Sequence, residues 1–170
     1  MYIELHSRSA FSFLEGASLP ESLVAACANL NMPAMALLDR DGVYGSPRFH
    51  MAGKKAKIKA HIGAEVTCEC FSPQRHRDAG QIKNQKSADS SVSLYLCGEF
   101  RLPLLVSSRL GYQNLCRLIT KMKLRSAKGE GAVQEEELRE YAGGLICLTG
   151  DDNGPLACAD AMQAEALPVL

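Results

Sequence analysis

No apolar run in the 170-residue sequence is long enough to cross a bilayer; those at residues 34–38, 102–106 and 145–148 stop after four or five residues. The Met-Tyr-Ile-Glu-Leu-His start has neither the basic opening nor the apolar stretch of a signal peptide. A soluble, cytoplasmic protein with no membrane partner is expected. Net charge is also lacking: 19 Lys+Arg stand against 19 Asp+Glu, which excludes a strongly basic nucleic-acid coat. No CxxC pair occurs among the seven cysteines, Cys27, Cys68, Cys70, Cys97, Cys116, Cys147 and Cys158. They read as reduced thiols acting as small buried hydrophobes rather than as a zinc knuckle. Aromatics make up only 6%. What is present, 46% apolar and 22% charged residues, fits one globular domain spanning 1–170 with a full core.

The zero balance hides an asymmetry. Residues 1–128 carry 18 Lys+Arg against 10 Asp+Glu, and residues 129–170 carry 1 against 9. The basic part concentrates at 48–59, 75–86 and 117–128. Such runs serve as solvated helix faces more often than as nucleic-acid surfaces, because few aromatics interleave with them.

Strand and helix signals alternate along the chain. Residues 2–5 read as a strand. Ser18, with Glu21 three residues on and Pro20 in the first turn, predicts a capped helix that Asn31-Met32-Pro33 ends. The apolar run 34–38 predicts a strand covered on both faces, closed by the turn Asp39-Arg40-Asp41-Gly42. Ser46-Pro47 opens a second helix to about 57. Strands are predicted at 62–70, 92–97, 102–106 and 144–148, and helices at 111–124 and 135–141. Residues 71–91, polar and without period, read as a long loop or insertion. The alternation argues an α/β domain with a parallel sheet or barrel.

In such folds the chemistry gathers where strands meet loops. His6-Ser7-Arg8, Glu15-Gly16, Asp39-Arg40-Asp41, Glu65, Arg101 and Gly150-Asp151-Asp152 all fall there. A histidine and carboxylates converging at one rim suit a divalent metal. Arginines among them argue the other way, since guanidinium stays protonated and cannot ligate. Residue chemistry leaves both readings open. Taken locally, His6 reads as a core histidine, Asp39 and Asp41 as turn formers, Glu15 and Asp152 as surface charges, and Phe11 and Phe13 as core.

Six ordered blocks resemble one family. They begin with Tyr2-Ile-Glu-Leu-His-Ser-Arg-Ser-Ala-Phe-Ser-Phe-Leu-Glu-Gly-Ala-Ser and Leu38-Asp39-Arg40-Asp41-Gly42-Val43-Tyr44-Gly45. Ile62-Gly63-Ala64-Glu65, Leu102-Pro103-Leu104-Leu105-Val106 and Gly111-Tyr112-Gln113-Asn114-Leu115-Cys116-Arg117-Leu118-Ile119 follow, and Gly144-Leu145-Ile146-Cys147-Leu148-Thr149-Gly150 closes the set. Together they resemble the polymerase-and-histidinol-phosphatase (PHP) domain that stands at the N-terminus of bacterial DNA polymerase III α subunits. Asp39-Arg40-Asp41-Gly42-Val43-Tyr44-Gly45 is nearer to the replicative branch, but His6-Ser7-Arg8 and Gly154-Pro155-Leu156-Ala157 resemble the error-prone branch, which is the one expected.

The resemblance implies a distorted (βα)7 TIM-like barrel, C-terminally incomplete in this chain, with a metal cluster at the C-terminal rim of the strands. A whole barrel would need roughly 80–100 further residues. His6 and Glu65 match ligand positions, Glu15 stands where Asp is usual, and Asp151 stands where some members have a ligating cysteine. Arg8, Arg40 and Arg101 replace ligand histidines, and Asp39 and Asp41 are further rim residues. The expectation is therefore a degenerate site with no tightly bound cofactor and no catalytic residues. Arg–carboxylate pairs would hold the old pocket, and the role would be structural, in a polymerase whose separate catalytic core uses Mg. Partners implied are that core, DNA through the parent, and replisome or translesion-synthesis subunits. The alternatives are an active phosphoesterase or 3′→5′ proofreading exonuclease with Zn or Mn, and a stand-alone binding fragment.

Overall fold

The structure, a computed structural model, describes residues 2–69, 99–127 and 129–158. Through these the chain forms β1 (Glu4–Ser7), α1 (Pro20–Asn29), β2 (Ala34–Arg40), α2 (Ser46–Ala56), β3 (Lys59–Cys68), β4 (Phe100–Val106), α3 (Arg109–Arg125), α4 (Glu135–Tyr141) and β5 (Leu145–Cys147). The five strands lie in one sheet in the order β1-β2-β3-β4-β5.

The parallel arrangement expected of the sheet holds for only part of it. β1, β2 and β3 are parallel, but β4 runs antiparallel to β3, and β5 antiparallel to β4. The apolar runs that mark β4 and β5 carry no information about strand direction, so alternation of element types overstated the parallel reading. The result is a mixed α/β fold. Sequential strand order is that of a barrel wall, consistent with part of a TIM-like PHP barrel. The strand expected at 92–97 and the loop at 71–91 lie outside the described residues.

β2 is buried on both faces, as its unbroken apolar run predicts. Met35 and Leu37 pack with Val24, Cys27 and Phe49 of α1 and α2. Ala36 and Leu38 meet Leu105 on the other side. A second cluster joins Val66, Leu102 and Leu104 to Leu115, Leu118 and Met122 of α3. Full burial of each such side chain contributes about 1.5–3 kcal/mol. Cys27 and Cys68 are buried as expected, but Cys147 is exposed.

Local differences have local reasons. Ser18 does not cap α1: the N-cap is Leu19, without a side-chain bond, and the Ser18 carbonyl accepts from the Ala10 N–H instead. β5 is not the buried strand expected; Ile146 is 51% exposed, because β5 is an edge strand among the described residues. Phe11 and Phe13 are not core either, at 40% and 82% exposed. Ser12 turns inward between them and Ser9 just before them, each bonding the Asp39 carboxylate, so the alternating aromatics face out. No helix among the described residues is long and apolar enough to cross a membrane.

Candidate functional site

β1, β2, β3 and β5 end at one rim of the sheet, and antiparallel β4 begins there. This sheet geometry gathers residues far apart in sequence. His6 and Arg8 come from the end of β1, Arg40 and Asp41 from that of β2, and Glu65 from β3. Arg101 sits second in β4, and the turn after β5 supplies Asp151. The Arg101 N–H donates to the Asn153 carbonyl at 2.7 Å, tying that turn to β4.

All three arginines meet carboxylates from other parts of the chain. Arg8 grips Glu65 with two donors, Nε to Oε2 at 2.5 Å and Nη2 to Oε1 at 2.8 Å. The same Nη2 donates to Asp151 Oδ2 at 2.9 Å. Arg101 pairs bidentately with Glu15, Nη1 to Oε2 at 3.0 Å and Nη2 to Oε1 at 2.9 Å. Arg40 Nη1 adds a third donor to Glu15 Oε1 at 2.8 Å. Arg8 Nη1 lies 4.0 Å from Glu15 Oε2, which links the two halves of the cluster. These planar forks are the geometry guanidinium offers and ammonium cannot.

His6 Nε2 lies 3.5 Å from Glu65 Oε2, yet it is buried and makes no hydrogen bond. His6, Glu65 and Asp151 each place one candidate ligand atom within 4.8 Å of the others. Burial pushes the Glu65 carboxyl up, but the close approach of His6 and the hydrogen bonds and charge of Arg8 outweigh this and hold it below the ordinary carboxylate range. Asp151 is lowered too, mainly by the Asn153 N–H and then by Arg8, against some burial. Arg8 is itself raised: burial opposes its charge, and the bonds to Glu65 and Asp151 prevail.

Asp39 and Asp41, expected as turn formers, divide the work. Asp41 does form the turn, at φ 48°, and also accepts from the Thr67 N–H and hydroxyl at 2.8 and 3.0 Å. Asp39 belongs to β2 and is buried. It accepts from the Ser9 N–H, the Ser9 and Ser12 hydroxyls and the Gly45 N–H, between 2.8 and 3.0 Å. Ser12 Oγ in turn accepts from the Arg40 N–H at 3.0 Å. Sequence reasoning missed Ser9, Ser12 and Thr67. The one available signal was a carboxylate ending a doubly buried strand, which must find donors somewhere.

Residues 4–167 match the PHP domain family. Among curated proteins, the error-prone DNA polymerase of Nocardia farcinica is 46% identical over 187 residues, covering 96% of this chain and 16% of that protein. The error-prone DNA polymerase of Anaeromyxobacter sp. (strain K) is 37% identical over 139 residues, covering 82% and 10%. The chain thus spans only 10–16% of the length of these relatives. A solved amidohydrolase from Chromobacterium violaceum, with bound sulfate and no metal, aligns at TM-score 0.47 and 18% identity, over 72% of this chain and 33% of that one. With its sequence matched along nearly its whole length, this chain belongs to the PHP domain family.

Proposed function

We propose that this PHP domain is the N-terminal, structural domain of a polymerase III α-like error-prone DNA polymerase, with a degenerate metal site held by arginine. The observation that carries this is Arg8 Nη2, which donates to both Glu65 and Asp151. A permanently protonated donor thus lies between two of the three would-be ligands. Glu15 is likewise filled, by Arg40 and Arg101. Two cations cannot share such a pocket without mutual repulsion, so this donor set does not fit a metal and no reaction step runs through one. The domain's contribution is to fix the rim loops in shape for contact with the polymerase core. DNA synthesis, with its Mg-bound carboxylates, belongs to that core, and cytoplasmic DNA is met through it.

A second reading, an active metal-dependent phosphoesterase or proofreading exonuclease, draws on the approach of His6, Glu65 and Asp151 and on the orphaned His6 nitrogen. Elemental analysis after dialysis against Zn and Mn separates the two. The structural reading expects no stoichiometric metal, and no phosphatase or 3′→5′ exonuclease activity above a Glu65→Ala control. Stoichiometric metal that is lost on His6→Ala would overturn it.

A further inference from the structure

Where α1 and α2 lie side by side, their outer surface carries a groove of about 650 Å³, walled by Val24, Ala25, Met51, Ala52 and Lys55 among others. Its lining is mainly apolar, and Met51 remains 56% exposed, so no side chain among the described residues fills it. The one acid in the wall, Glu21, is already occupied by Arg48, through bonds of 2.6 and 2.9 Å. The charge carried by α2 and the residues that follow it has one sign. No acidic residue occurs between Asp41 and Glu65, a stretch holding Arg48, Lys54, Lys55, Lys57 and Lys59. The four lysines are exposed and meet no carboxylate among the described residues.

We propose that this groove seats an acidic, amphipathic helix of a partner protein. The site involves none of the residues of the Arg–carboxylate cluster and does not depend on how that cluster functions. Helices of 10 and 11 residues make a trough about 15 Å long, matching roughly three turns of a third helix. Ala25 and Ala52 permit close approach, Met51 adapts to the incoming side chains, and carboxylates flanking the partner's apolar stripe reach Lys54 and Lys55. A nucleic acid would satisfy the lysines but leave the apolar wall uncovered. The apolar lining is what selects a helix.

The test uses the full 170-residue chain and a labelled amidated peptide of about 14 residues, with leucines at i, i+3, i+4 and i+7 and glutamates elsewhere. Anisotropy titration should give saturable binding, weakened roughly tenfold or more by Ala52→Glu and by the double change Lys54→Glu, Lys55→Glu. The lysine-for-glutamate peptide should bind only the charge-reversed double variant. Melting curves check that both variants fold, and since their changes lie on exposed or half-exposed positions, either serves if the other fails. Absence of saturable binding, or indifference to Ala52→Glu, overturns the proposal. Duplex DNA binding that falls with the lysine pair but not with Ala52→Glu assigns the lysines to nucleic acid and overturns it equally. Dimerisation abolished by Ala52→Glu assigns the groove to a second copy and overturns it as well.

Discussion

Arg8 and Arg40 look alike in the sequence, yet their side chains are 21% and 41% exposed, and their partners differ more. Glu65, on Arg8, is 1% exposed. Arg8→Ala leaves that carboxylate buried without its cation, so a loss of about 3 kcal/mol is expected in urea unfolding. Arg40→Ala should cost under about 1 kcal/mol, because Glu15 keeps Arg101 and the site is wetter. Equal losses would refute the burial argument. Acid should act through the same carboxylate. Glu65 and Asp151 are both held below their ordinary values, so as pH falls the unfolded chain takes up protons first. Stability is then present above about pH 4.5 and is lost on further acidification through the folded-state values. Glu65→Gln should flatten that acid limb of the stability profile. The residues themselves were legible because charged side chains at strand ends stand out. Their wiring was not, since Arg8 and Glu65 are 57 positions apart and no local pattern announces the pair.

Among the elements, helices announced themselves best. α4 falls where its acidic run predicted, and α3 extends two residues before its predicted start because Ser108 caps it, its side chain accepting from the Gly111 N–H at 3.1 Å. Gly111 carries a further demand that periodicity cannot express. A Cβ there would stand 1.9 Å from the Gly144 carbonyl oxygen, so the start of α3 presses directly on the backbone before β5. Gly111→Ala should therefore destabilise by about 1–3 kcal/mol by overpacking, despite the better helix propensity of alanine. A stabilised variant in thermal unfolding would show that the contact relaxes freely. Strand direction was the weakest inference. Apolar runs report burial, and β4 is as apolar antiparallel as it would be parallel.

For the molecule as a whole, the open feature is the sheet margin. β1 and β5 each have one paired neighbour among the described residues, and Leu5 and Ile146 stand 41% and 51% exposed on them. Unpaired backbone groups beside apolar side chains favour edge-to-edge association. The 170-residue chain should therefore self-associate with rising concentration in sedimentation, and Ile146→Lys should shift it toward monomer. Ala52→Glu, on the helix side, should leave that equilibrium unchanged. Monomer at every concentration would mean that the margin is covered from within. Family blocks made the overall class legible over most of the chain, but an edge becomes visible only once the strands are paired.

The doubly held Glu15 and Glu65 carry a consequence for how this chain can change over generations. Glu65 now needs Arg8, and Arg8 its acid, since losing either member strands a charge with little water near it. A change to histidine at position 8 alone would therefore be disfavoured, even if a metal-binding rim were advantageous, because the benefit arrives only after several simultaneous replacements. Removing both members together, as in Arg8→Met with Glu65→Met, avoids the stranded charge and should cost less than the sum of the two single changes. Interlocked charges of this kind act as a ratchet: they make the present rim easy to keep and a metal-ligating rim hard to build, whichever way selection pulls.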